Sequence, residues 1–335
     1  MPITSIGDRS QSFQSLKQTG DIKTRLNTLT NELASGRRAD LTTHMQGNTS
    51  QLAILDRELA IIDSFARTNQ ALAHNLDVLQ LNLTTANDLR VELMQDVSQL
   101  SPDSSDDALR DGGVKARKDM ATFVNLFNAR DGERALLSGT AVDTPPLASA
   151  EDMLADILAS LGGATDLATI TATIDTWFDD PAGGFMTMGY QGDTGPDISR
   201  KISATQTVEI DARADDAGIR SVLKGTALAA ITDLLGTTLD NTTRAELMRE
   251  SFDVLLSSAT PFTRLQARIG ENQERLVLTE TSQAAQRTTF TMSRNAIALA
   301  DPYETATRLQ DVQRQLELQF ASTARLSQLS LVNYL

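Results

Sequence analysis

Apolar residues near both ends of the chain recur in steps of three or four residues. The N-terminal set is Ile22, Leu26, Leu29 and Leu33, and the C-terminal set is Leu309, Val312, Leu316 and Phe320. Such spacing places apolar side chains on one face of a helix, as a seam that a second helix must cover. The simplest packing pairs the two terminal seams with each other, antiparallel.

Long segments between these ends have the same helical spacing. Residues 52–100 contain two apolar seams, with a phase shift predicted near residues 66–72. An acidic turn is predicted at residues 101–113, with a further helix from residue 114. A third tract starts after Asp240, which is a typical helix cap, and is predicted to run unbroken to Ala300. Its thin apolar stripe is Leu265, Ile269, Leu276 and Leu278.

The middle of the chain, residues 141–223, has a different character. Gly, Asp and Pro are dense between Phe178 and Pro196, and residues 198–211 alternate like short strands. The predicted fold is therefore mainly α: a long antiparallel helical coiled-coil bundle that pairs the N- and C-terminal segments. A small α+β insertion is predicted at the centre of the chain, carried at the far tip of the bundle.

The composition excludes several classes of function. The chain has 44 acidic and 30 basic residues and a net charge of −14, which argues against nucleic acid as a partner. No run of about 18 apolar residues exists, so we expect no membrane insertion. There is no cysteine and there are only two histidines. We therefore expect no enzyme activity, no cofactor and no metal site.

Three local features could carry chemistry, and we interpret each as structural. His44 and His74 have no companion residues at metal-ligand spacing. The acidic residues between Asp103 and Asp111 lack the alternating ligands and the final Glu of a calcium loop. The glycines at 189, 192 and 195 have no strand before them and no helix after them, as a phosphate site requires.

The last ten residues are unusually apolar for a chain end, because termini are normally polar and frayed. Burial against another subunit explains this composition. We predict an assembly interface formed by both terminal seams and this tail: Ile22, Leu26, Leu29, Leu33, Leu309, Val312, Leu316, Phe320, Leu326, Leu329, Leu331 and Tyr334.

Several of these segments resemble the bacterial flagellin family. Residues 26–38, which end in Ala34-Ser35-Gly36-Arg37-Arg38, are similar to the end of that family's first helix, and residues 321–331 are similar to its C-terminal helix. Residues 126–147 most resemble the hook–filament junction branch, the hook-associated proteins. The resemblance covers residues 1–140 and 224–335. One departure is that the family's Asp-Asp-Pro segment after the first helix is replaced by Ala39-Asp40-Leu41.

The resemblance implies three layers. Residues 1–40 with 301–335 would form the inner assembly domain, residues 41–140 with 224–300 the long helical bundle, and residues 141–223 the outward-facing insertion. It implies an extracellular location in the flagellum, reached through the flagellar type III channel without a cleaved signal peptide. The implied partners are other copies of the chain, the neighbouring hook-associated junction protein, flagellin, and a cytosolic export chaperone that binds the C-terminal helix.

The implied function is structural: the chain would join hook to filament and transmit torque by axial self-assembly of its terminal helices. A flagellin that builds the filament itself is the first alternative. A cytoplasmic helical scaffold or binding protein is an alternative of another class, and an enzyme acting through the acidic middle is a formal third.

Overall fold

The structure is a computed structural model that describes residues 6–45 and 49–332, with the side chains of residues 6–9, 11, 12, 43, 44 and 326–332 outside the description. Within these ranges the chain is mainly helical, as predicted. The helices are α1 (Ile6–Ser35), α2 (Leu41–His44), α3 (Ser50–Ser98), α4 (Asp106–Phe127), α5 (Ala150–Leu161), α6 (Leu167–Asp179), α7 (Ala217–Leu235), α8 (Asn241–Ser257), α9 (Ala259–Ala298) and α10 (Pro302–Val332). The strands are β1 (Arg130–Asp131), β2 (Arg134–Ala135), β3 (Ile198–Lys201) and β4 (Thr207–Ile210).

The chain divides into two compact units, residues 1–63 with 284–335 and residues 64–283. In the first unit, α1 packs along α10. Two ion pairs join the start of α3 to the end of α9: Arg294 Nε lies 2.5 Å from Asp56 Oδ1, and Arg287 Nε lies 3.0 Å from Asp63 Oδ1. The predicted helical pairing of the N- and C-terminal segments is confirmed.

The second unit contains a helical bundle in which α4, α7 and α8 pack closely on one another. The acidic turn is shorter than predicted, because α4 already begins at Asp106, capped by the Ser105 side chain. Gly113 therefore lies inside α4. A Cβ on Gly113 would stand 2.5 Å from Thr232 Oγ1, so the glycine permits the close approach of α7.

The second seam of α3 begins inside the segment where the phase shift was predicted, residues 66–72. Ala66 is exposed, whereas Asn69 is buried seven residues before Leu76, in register with the leucines that follow. The sequence analysis did not include Asn69 in the seam, because only apolar residues were used to define it. The second register therefore begins at least as early as Asn69.

The predicted unbroken tract from Asp240 to Ala300 was wrong at one point. The Asp240 cap is confirmed, since its Oδ1 accepts a hydrogen bond from the backbone N–H of Thr243 at 2.7 Å. The tract nevertheless divides at Ser258, between α8 and α9. Pro261 explains the break, because it lacks the N–H that would bond the carbonyl of Ser257 and its ring clashes with that carbonyl.

The insertion has the predicted α+β composition. The alternation predicted the strands β3 and β4, which pair antiparallel with Ile198 opposite Ile210. Helix α6 was not predicted; it ends in the buried pair Trp177 and Phe178, which belong to the same apolar core as the bundle. The insertion therefore has no separate core.

The insertion does not lie at the far tip of the bundle, contrary to expectation. The turns at 99–105 and 236–240 meet at one end of the bundle, the tip. There Arg244 of α8 bonds both Asp106, at the start of α4, and the carbonyl of Gly236. The insertion leaves from the C-terminal end of α4 and returns at the N-terminal end of α7. These ends lie together at the opposite end of the bundle, because α4 and α7 run antiparallel.

Candidate assembly surface

The seam between α1 and α10 is only partly apolar. The α1 positions that α10 shields recur in steps of four and three: Ser15, Thr19, Ile22, Leu26 and Leu29. The matching α10 positions are Thr305, Leu309, Val312, Leu316 and Gln319. Val312 and Thr305 are buried and the others are half-buried, so the pair covers its own seam incompletely.

Polar contacts fix the direction and register of this pair. Gln319 Nε2 of α10 donates to Ser15 Oγ of α1 at 3.2 Å, and Ser15 Oγ lies 3.4 Å from Thr323 Oγ1. The start of α1 is thus beside the later part of α10, so the two helices are antiparallel. Hydroxyl and amide groups at seam positions specify register at some cost in stability.

The opposite end of the pair is closed by a short backbone junction. Gly36 ends α1 with a φ of +66°, the left-handed conformation that glycine adopts at helix ends. The backbone N–H of Arg38 donates to the carbonyl of Ala298 at 3.0 Å, and that of Ala300 donates to the carbonyl of Gly36 at 3.1 Å. Asp301 then caps α10, accepting hydrogen bonds from the N–H groups of Tyr303 and Glu304.

Large apolar side chains on this pair remain in solvent. Phe13 is 70% exposed, Leu16 72%, Leu318 66%, Phe320 51% and Leu33 40%. Leu16 and Phe320 each follow a residue of the Ser15–Gln319 contact, and helical periodicity places both on the same flank of the pair. A patch of this kind on a pair of helices indicates a surface that another molecule covers.

The other flank of the pair contains a groove of about 1020 Å³. Ile22 of α1 and Leu318 of α10 supply its apolar lining, between polar side chains that include Gln18, Arg25 and Gln315. Apolar surface with a polar border is typical of protein–protein contact sites. Both flanks of the α1–α10 pair are therefore suited to packing against other helices.

The charges of the two units differ sharply. Residues 1–63 and 284–335 contain twelve basic and eleven acidic residues, whereas residues 64–283 contain 18 basic and 33 acidic residues. Copies that meet through the nearly neutral unit repel one another weakly. Copies that meet through the acidic unit repel one another strongly at low salt.

The twelve predicted interface residues fall into three groups. Ile22, Leu26, Leu29, Leu309, Val312 and Leu316 line the seam within the chain. Leu33 and Phe320 are exposed, and Gln319 takes the seam position beside Phe320. Leu326, Leu329, Leu331 and Tyr334 lie outside the described side chains. The role of all twelve in assembly stays a prediction.

Sequence reasoning did not assign Phe13, Leu16 or Leu318 to this surface. The sequence nevertheless contains a signal for an exposed apolar surface, because each of the three is a large apolar residue outside the seam spacing of a polar helix. The stripe predicted on α9 likewise included Leu278, which is 63% exposed, while Thr279 is buried in its place.

The features set aside as structural lie as follows. His74 Nε2 is 3.8 Å from Asp131 Oδ1 at the surface, and the side chain of His44 is not described. Asp107 pairs with Arg110 on the same helix. Among the side chains that the structure describes, no three His, Asp or Glu are grouped to hold a metal ion. Within residues 6–45 and 49–332, no helix has both the length and the apolar composition needed to cross a membrane.

One family model matches the C-terminal part of the chain. Residues 253–335, which include α10, match the family described as the bacterial flagellin C-terminal helical region. None of the curated proteins matches the sequence. The matched family is structural and non-enzymatic, in agreement with the expectation that the chain is not an enzyme.

Two solved structures are similar at low sequence identity. A protein from Vibrio parahaemolyticus described as a flagellar hook-associated protein has 13% identity and a TM-score of 0.49, covering 74% of this chain and 96% of its own. FlgL of Bacillus cereus has 12% identity and a TM-score of 0.40, covering 74% of this chain and 97% of its own. With TM-scores below 0.5, these likenesses carry no argument about function.

Proposed function

From the flagellin-type C-terminal helical region at residues 253–335, we propose that this chain is a structural subunit of the bacterial flagellum that joins hook to filament. The observation that carries the proposal is the exposed apolar surface of the α1–α10 pair. The surface includes Leu318 and Phe320, inside the matched region, and Leu16, from the other end of the chain. A monomer leaves these side chains in water, whereas axial packing of copies buries them.

The mechanism is mechanical. Neighbouring copies pack through their terminal helix pairs to form the inner layer, and the long helices form the next layer. Residues 141–223 face outward. Long helices with interlocked seams resist bending and twisting because their core side chains are close-packed. The ring of subunits therefore passes torque from a flexible hook to a stiffer filament.

The partners follow from this position. One side of the ring meets the neighbouring hook-associated junction protein and the other meets flagellin. Before export through the flagellar type III channel, a cytosolic chaperone covers the C-terminal helix, because exposed apolar surface is prone to aggregation. The assembled chain is extracellular.

The test replaces two exposed side chains of the pair in the full chain, Leu16→Ser together with Phe320→Ser. Each large apolar side chain buried in an assembly contributes about 1.5–3 kcal/mol. The double variant should therefore weaken assembly at least about a hundredfold. In a strain that lacks the native chain, the measurement is swimming and the amount of unpolymerised flagellin shed into the medium.

The matched control is Leu81→Ser, which replaces a leucine that is 66% exposed on α3. We expect the control to swim normally and the double variant to shed flagellin, with unchanged helicity in both by circular dichroism. Normal swimming of the double variant would contradict the proposed assembly surface.

A filament subunit is the second candidate, because the matched family is that of flagellin. Seeded polymerisation separates the two: a filament subunit grows long polymers on filament fragments, and a junction subunit does not. A cytoplasmic scaffold is separated from both by the culture medium of an export-competent strain, in which a scaffold would not be found.

A further inference from the structure

The β3–β4 hairpin is bound to α3 and α9 by side-chain amides. Asn69 Nδ2 of α3 and Gln283 Nε2 of α9 both donate to the carbonyl oxygen of Ile202, each at 2.9 Å. Both amide residues are buried, and Asn69 Oδ1 has no hydrogen-bond partner. One backbone carbonyl of the hairpin therefore accepts two hydrogen bonds, from buried side chains on two different helices.

Two further side chains of α9 bond the same hairpin. Thr279 Oγ1 lies 2.8 Å from Gln206 Oε1, and Asn272 Nδ2 donates to the carbonyl of Glu209 at 3.0 Å. Asn272, Thr279 and Gln283 continue the seam steps that begin with apolar residues at Leu265 and Ile269. At the hairpin, α9 thus presents polar groups where it presents apolar groups elsewhere.

The base of the hairpin is held differently from its tip. Arg268 Nε of α9 lies 2.7 Å from Asp211 Oδ2, just after β4, and Arg213 lies 3.3 Å from Asp197, just before β3. Beyond this base, Ile202 and Val208 are the hairpin side chains that lie fully in the core, with Ile210 packed partly against it. Opening the hairpin therefore exposes these three apolar side chains, while the rest of the bundle core stays covered.

We propose that the β3–β4 hairpin, residues 198–210, is a strap that opens and closes as a unit over the polar part of the α3–α9 helix pair. Its base stays fixed while its tip lifts. The hydrogen bonds that close it exchange readily for bonds to water, because each contributes only about 0.5–1.5 kcal/mol net. The open state uncovers Asn69, Thr279 and Gln283 without unfolding the bundle, as local opening units do in other proteins.

Thiol labelling tests the strap, because the native chain contains no cysteine. Val208→Cys places one thiol on the buried face of the hairpin. Met120→Cys places one on α4 in the bundle core, where the native residue is fully buried. We expect iodoacetamide to label the Val208→Cys variant at least about tenfold faster than the Met120→Cys variant under native conditions. Equal labelling rates would mean that the hairpin opens only when the whole unit unfolds, and would overturn the proposal.

A second pair of variants tests the closing contacts. Adding Asn69→Ala and Gln283→Ala to the Val208→Cys chain should raise its labelling rate about tenfold or more and leave that of the Met120→Cys chain unchanged. Thr281→Ala is the control, since Thr281 is exposed and bonds only the carbonyl of Val277 in its own helix. A rise of equal size at both thiols would show a general loss of stability and contradict the strap.

Discussion

Asp119 of α4 is a charged residue that is buried in the folded chain. It lies on α4 with Lys115, whose Nζ bonds Glu92 at 2.7 Å and also bonds Asp96, both on α3. Asp119 Oδ2 is 4.0 Å from that ammonium and has no hydrogen-bond partner. Burial raises the pKa of Asp119 above its ordinary value, and the nearby Lys115 offsets only part of this effect.

The raised pKa fixes the direction of a pH effect. A folded state with the higher pKa binds the proton more tightly than the unfolded chain does. Asp119 therefore reduces stability progressively as pH rises from its ordinary value of 3.8 through the raised pKa. Asp119→Asn should raise the Tm at pH 7 and have little effect near pH 3. Asp88→Asn, at an exposed carboxylate in the interior of α3, should change neither value. A lower Tm for Asp119→Asn at pH 7 would mean that attraction to Lys115 outweighs burial.

The helix ends obey local rules that sequence reasoning captures well. Asp301 caps α10 with Pro302 in the first turn, a sequence typical of a helix start, and its Oδ1 accepts hydrogen bonds from the N–H groups of Tyr303 at 2.8 Å and Glu304 at 3.1 Å. The cap lies next to the Gly36–Ala300 junction. It therefore supports the start of the helix pair as well as its own helix.

Loss of this cap should cost stability locally. Asp301→Ala leaves two backbone N–H groups without their acceptor and should destabilise the chain by about 1 kcal/mol. Hydrogen exchange over residues 302–309 should become faster, and the Tm should fall slightly. Asp311→Ala is the control, because Asp311 makes only a 3.6 Å ion pair with Arg314 in its own helix. Equal effects of the two substitutions would show that the cap contributes nothing specific.

Charge over the molecule is uneven enough to affect its stability. Residues 64–283 have 33 acidic against 18 basic residues, and many of the basic groups are already paired, such as Lys224 with Asp175 and Asp179. Exposed ion pairs contribute about 0–1 kcal/mol each. Repulsion among the excess carboxylates is therefore the larger salt-sensitive contribution.

Salt should consequently stabilise the chain. Raising NaCl from 10 mM to 150 mM shortens the screening length from roughly 30 Å to roughly 8 Å, which weakens repulsion between distant carboxylates. We expect the Tm at pH 7 to rise with salt, by a few degrees, and this rise to shrink near pH 4.6, the isoelectric point of the sequence, where acidic and basic charges balance. A Tm that falls with salt at pH 7 would show that the ion pairs dominate.

The sequence by itself determined the elements whose causes are local. Helical spacing and caps predicted the terminal pair and the long helices, and strand alternation predicted the short strands of residues 198–211. The tertiary structure decided which side chains are buried. Asn69, Thr279 and Gln283 occupy seam positions because the insertion supplies Ile202 and Gln206 as partners, from more than 70 residues away. Phe13 and Leu16 are exposed because α10 covers only one face of α1. Periodicity describes one helix at a time, whereas burial depends on what packs against it.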